Sequence, residues 1–177
     1  MAEAADNYSP IKIRDRLHTR AARVWAITLA VTAVWLLVIV SPPLMMYFGF
    51  SASPIYSFYS YICHQLPERS FHVLGHQFAV CSRCFGVYFG LLAGVLTYRL
   101  WRPVASVEPL PRFWLFLSMI PISIDWSLGF FEIWENNHIS RFITGLVLGV
   151  ACAVFIVPAL VEIVRNLSRR TIVDYKT

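Results

Sequence analysis

Residues 24–50 read VWAITLAVTAVWLLVIVSPPLMMYFGF, and between Arg23 and Glu68 no charged side chain appears. At about 1.5 Å of rise per residue, a helix over this run exceeds the roughly 30 Å hydrocarbon thickness of a bilayer. The run is longer than the roughly 7–15 apolar residues of a signal peptide, and no small-x-small cleavage site follows it, so it is expected to persist as a membrane helix. Ser41-Pro42-Pro43 is expected to interrupt that helix near its far end, because proline lacks the N–H that an α-helix needs.

Three further apolar stretches lie downstream, at about 78–99, 113–131 and 142–163. With 58% hydrophobic and 14% charged residues in 177, the chain has more apolar surface than a soluble core can bury. The fold class read from this pattern is all-α: an integral membrane bundle of about four transmembrane helices. Residues 24–164 form the transmembrane domain, flanked by basic segments at 1–23 and 165–177. The net charge of +5 does not point to nucleic acid, because the basic residues sit at the ends of apolar stretches and not in a separate patch with aromatic side chains.

Those basic residues set an orientation. Lys12, Arg14, Arg16, Arg20 and Arg23 precede the first helix, Arg99, Arg102 and Arg112 separate the second from the third, and Arg165, Arg169, Arg170 and Lys176 follow the fourth. The positive-inside rule assigns all three groups, and both termini, to the cytoplasmic side of a cell (inner) membrane. The loops at about 51–80 and 132–140 then face outward. Pro67 forbids one continuous helix through the first of them, so a re-entrant or interfacial loop is expected there. Gly86, Gly90 and Gly94 in the second helix, and Gly145, Gly149 and Ala153 in the fourth, recur every four residues. Small residues at that spacing let membrane helices approach closely, which favours packing between these two helices over pairing of two chains.

The costly residues gather on the outward side. Cys63-His64 and Cys81-Ser82-Arg83-Cys84 bring three of the four cysteines towards one place, and Asp125, the sole charge of the third helix, lies about 18 Å from its start. A carboxylate at that depth needs a partner, and Arg83 and Arg141 are the candidates.

Cys-x-x-Cys in a tight turn aims both sulfurs at one ion, so Cys63, His64, Cys81 and Cys84 are the candidate ligands of a metal, zinc foremost. His72 and His76 are a second candidate pair, on one face if that segment is helical. His64, Arg83, Asp125 and Arg141 are the candidate catalytic residues. In that reading His64 is a fourth ligand or a general base, the arginines bind an anionic group such as a lipid headgroup, and Asp125 orients an arginine.

Two other readings stay open. Cys81 and Cys84 at a helix N-terminus, with an arginine between them, suit thiol–disulfide exchange. Here the architecture resembles the quinone-linked membrane thiol oxidases, which would imply a quinone cofactor, but residues 132–140 lack the second cysteine pair of those proteins. Alternatively Cys63 forms a structural disulfide with Cys81 or Cys84 in a non-catalytic assembly subunit, with the glycine faces free for homo-oligomers. Cys152, alone in the fourth apolar stretch, reads as a small buried hydrophobe.

The run Cys63-His64-Gln65-Leu66-Pro67-Glu68-Arg69-Ser70-Phe71, the run from Cys81 to Gly90, and then Asp125, Asn137, Arg141, Thr144, Gly145 and Gly149 carry a further resemblance. Together they resemble an uncharacterised family of small predicted prokaryotic membrane proteins. The resemblance covers about residues 61–149 and implies a polytopic membrane protein without assigning a reaction. His72 and His76 lie outside its pattern.

Overall fold

The computed structural model describes residues 10–106, 108, 110–134 and 136–174. Its elements are α1 (Pro10–Tyr47), α2 (Ser53–Tyr59), a 3-10 turn (Pro67–Arg69), a hairpin of β1 (His72–Val73) and β2 (His76–Gln77), α3 (Ser82–Trp101), α4 (Phe113–Phe130) and α5 (His138–Asp174). Four helices are long and apolar enough to cross a membrane, over Leu17–Tyr47, Ser82–Trp101, Phe113–Phe130 and His138–Leu167. The architecture is an all-α membrane bundle.

α3 and α5 run parallel at its centre, and the glycine spacing explains why. A Cβ on Gly86 would overlap the Phe142 carbonyl, one on Gly90 the Leu146 carbonyl, and one on Gly149 the Val87 carbonyl. Backbone lies against backbone, as small residues permit when hydrophobicity no longer separates protein from lipid. At the far end a Cβ on Gly94 would come 2.6 Å from the Cβ of Ala153. α1 lies antiparallel to α3, fastened there by the Trp25 indole, whose Nε1 donates to the Val95 carbonyl at 2.7 Å. Arg99 stacks over the same ring, 5.7 Å from its centroid.

α1 does not stop at Ser41-Pro42-Pro43; it continues to Tyr47 with both prolines inside it and buried. Each proline removes the N–H owed to the carbonyl four residues back, so Val38 and Ile39 lose their regular donors. Both find replacements. Ser41 Oγ donates to the Val38 carbonyl at 2.9 Å, and the Ala79 N–H reaches in from the loop to the Ile39 carbonyl at 3.1 Å. The proline pair thus docks the segment before α3 onto α1.

The 72–77 segment is a hairpin, not a helix, with Val73 opposite His76 and His72 opposite Gln77. Leu74 (φ 54°) and Gly75 (φ 80°) form its two-residue turn, and both are left-handed as a type I′ turn demands. The fourth apolar helix starts at His138, four residues before the expected 142, because Asn137 caps it: its Oδ1 accepts the Ser140 N–H at 2.7 Å.

Candidate metal centre

The first turn of α3 carries Cys81 at the N-cap and Cys84 three residues on, which puts both sulfurs over the same end of the helix. Cys63 arrives from the turn that extends α2, where its N–H donates to the Tyr59 carbonyl at 2.9 Å. The Sγ atoms of Cys63, Cys81 and Cys84 all lie within 4.8 Å of one another. A tetrahedral zinc with bonds near 2.3 Å would hold its sulfurs about 3.8 Å apart, so the cluster needs to contract by about 1 Å at most. The Cys81 N–H also donates to Cys63 Sγ at 3.2 Å, a backbone contact that orients the sulfur from behind.

The surroundings are dry on the protein side. Cys63 is buried with Ile39, Tyr59, Ala79 and Val80, and Trp35, Phe85 and Tyr88 close over the other two sulfurs. Trp35 stacks edge-on with Tyr59 at 5.4 Å between ring centroids. Gln65 ties the loop together: left-handed at φ 51°, it sends its Nε2 to the carbonyls of Tyr56 (2.9 Å) and Ala79 (2.8 Å). Tyr56 in turn donates its hydroxyl to the Gln77 carbonyl at 2.6 Å. Hydrogen bonding from the Cys63 thiol, and then from Cys84, holds the Cys81 thiol well below its ordinary range. The contact with Cys81, reinforced by burial, pushes Cys63 up. The cluster therefore shares protons instead of presenting three equal thiols.

His64 is exposed and lies outside the three-sulfur group. His72 and His76 sit on opposite strands of the hairpin, away from any helical face, and neither belongs to that group. Cys152 is half-buried in α5.

Arg83 leaves the same first turn in another direction. Its guanidinium pairs with the carboxylate of Asp125, which is only 7% exposed, and this joins α3 to α4. Of the two arginines expected to meet Asp125, Arg83 makes the ion pair. Arg141 lies one turn inside α5, within electrostatic reach of Arg69, Arg83 and Asp125, and its side chain has no hydrogen-bond partner among the described residues.

Sequence reasoning missed three residues here. Asn136 donates its side-chain amide to the Asp125 carbonyl. Ser82, fully buried, donates to the Arg69 carbonyl at 2.6 Å, and His138 Nδ1 lies 3.0 Å from the same hydroxyl. A hydroxyl has one proton, so His138 must donate from Nδ1, which leaves its Nε2 as the acceptor in the neutral ring. The polar run Asn136-Asn137-His138 before an apolar helix was the available signal.

Against this geometry, residues 63–155 match the family described as "Predicted membrane protein (DUF2085)". The chain belongs to that family. The matched region opens on Cys63 and takes in Cys81, Arg83, Cys84, Asp125 and Arg141. An uncharacterised protein of Methanocaldococcus jannaschii is 36% identical over 110 residues, 62% of this chain and 70% of its own length. Another, from Methanothermobacter thermautotrophicus, is 41% identical over 96 residues, 54% of this chain and 85% of its own. No solved structure matches. Family and fold agree on a multi-pass membrane protein whose three-cysteine cluster is compatible with a metal site.

Proposed function

We propose that Cys63, Cys81 and Cys84 hold one metal ion, zinc, at the outward face of the membrane, and that the ion serves a membrane-embedded reaction on an anionic substrate. One observation carries the reading: three sulfurs from two separate chain segments lie within 4.8 Å of one another. Three thiolates in an apolar pocket require a cation, and zinc tolerates the tetrahedral, sulfur-rich geometry. Three protein ligands leave a fourth position open, the feature that separates catalytic zinc sites from structural ones. His64 can occupy that position only by turning in from the surface; otherwise it falls to water or substrate, where the ion would act as a Lewis acid. Arg141, and the exposed Arg69 whose nearest carboxylate is Glu68 at 3.8 Å, supply positive charge beside the centre and support an anionic group as the reacting part. The clustering of Lys and Arg at the ends remote from the cysteines supports cytoplasmic termini.

The test is metal content of protein purified in mild detergent without chelator or metal resin. About one zinc per chain is expected in the wild type and none in Cys84→Ser. His64→Ala then separates the two fates of the fourth position. If His64 ligates, the visible spectrum of the cobalt-substituted protein shifts; if it does not, the spectrum is unchanged and the open position stands.

A further inference from the structure

α5 has a second face, and α4 covers it incompletely. At the cysteine end of that seam lies a cavity of about 410 Å³ walled by Asp125, Asn136, Ser140 and Thr144, with Trp134 at its rim. Towards the opposite end lies a cleft of about 690 Å³ whose walls are almost wholly apolar, among them Trp114, Leu117, Val150 and Phe155. Ile120 and Pro121 line both, so the two form one slot with a polar head and an apolar body. That division matches an amphiphile.

The polar head also has a definite hydrogen-bonding sense. Ser140 Oγ donates to the Asn137 carbonyl at 3.1 Å, and Thr144 Oγ1 donates to the Ser140 carbonyl at 2.9 Å. Each hydroxyl has thereby committed its one proton and offers only lone pairs to the cavity. Asp125 accepts, and its charge is already balanced by Arg83. The wall is rich in acceptors and close to neutral. A phosphate would find few donors there, whereas a hydroxyl would find several acceptors at once.

We propose that the α4–α5 slot binds one uncharged lipid bearing a free hydroxyl, of the diacylglycerol or long-chain alcohol class, with its chain between Ile120 and Phe155 and its hydroxyl donated to the Asp125–Thr144 wall. The site is distinct from the cysteine cluster, which packs against α1 and α2, and does not depend on a metal there.

The experiment uses the full chain in lipid nanodiscs with a photoreactive dioleoylglycerol, its methyl ether and dioleoyl phosphatidic acid as competing probes, the labelled peptide being read by mass spectrometry. The alcohol should label α4 and α5 and be favoured over its methyl ether by roughly 3- to 10-fold, the factor expected of a single net hydrogen bond. Thr144→Val, which removes an acceptor at nearly constant shape, should narrow that preference. Ala151→Phe, which fills the apolar body of the slot, should abolish labelling by either glyceride. Both variants must keep the wild-type elution profile and melting temperature, and Ile120→Phe replaces any that does not. Equal labelling by alcohol and ether, preference for phosphatidic acid, or labelling that survives the filled slot would each overturn the proposal and leave ordinary surface lipid as the occupant.

Discussion

The first turn of α3 carries two sets of costly groups that differ in one respect. On one side Arg83 meets Asp125, and charge answers charge within the protein. On the other side Cys63, Cys81 and Cys84 converge with hydrogen bonds to one another and no opposite charge in their group. Neighbouring residues of one helical turn thus end in a completed ion pair and in a ligand set that lacks its cation. A low-dielectric site stabilises the first by pairing, and the second is matched by an ion from outside.

The comparison breaks most readily at the ion pair. Asp125→Ala strands Arg83 in the membrane and should lower stability by about 3–5 kcal/mol, measured by denaturation in detergent micelles. The double replacement Arg83→Leu with Asp125→Leu should regain most of that loss, because no uncompensated charge remains. Metal content should stay at the wild-type level in the double variant. A double variant that loses its metal would show that the two sets are one site.

Gly90→Ala tests the scaffold both sets share. Its Cβ would overlap the Leu146 carbonyl, and backbone cannot yield as a side chain can, so a loss near the ~3 kcal/mol upper end for overpacking is expected. Metal retention and stability should fall together in that variant, since the α3–α5 contact positions both.

Gln65→Ala acts on the cysteine side alone. It leaves the buried Ala79 and the Tyr56 carbonyls without their donors, at about 1–3 kcal/mol, and should hasten metal loss to a chelator while leaving the α4 contact intact. Trp25→Phe, at the far end of the bundle, gives up one hydrogen bond to Val95 and should shift stability by about 1 kcal/mol with no effect on metal.

The parts of this picture that were legible in the sequence are those fixed by composition and spacing. Long apolar runs located the four membrane helices, and the four-residue glycine steps located the α3–α5 contact, because both follow from the bilayer as solvent. The cysteine convergence was legible from Cys-x-x-Cys and a third cysteine nearby.

What escaped depended on partners remote in sequence. Pro42 and Pro43 read as a helix break because the Ala79 N–H that repairs the helix comes from about 36 residues away in a different segment. The hairpin at 72–77 turns on Leu74-Gly75, a weaker signal than Asn-Gly, so i, i+4 spacing suggested a helix for His72 and His76 instead. The early start of α5 was within reach, since asparagine before an apolar run is a capping signal and Asn137 carries it. The choice between Arg83 and Arg141 for Asp125 was not, because both open helices at the same end and only packing separates them.

The most direct measurement is zinc per chain together with the free-thiol count, on protein purified without chelator or metal resin. The account predicts about one zinc per chain, lost in Cys84→Ser, with the cysteine thiols protected from alkylation until the metal is removed. A metal-free chain in which Cys81 is joined by a disulfide to Cys84 or Cys63 would contradict it.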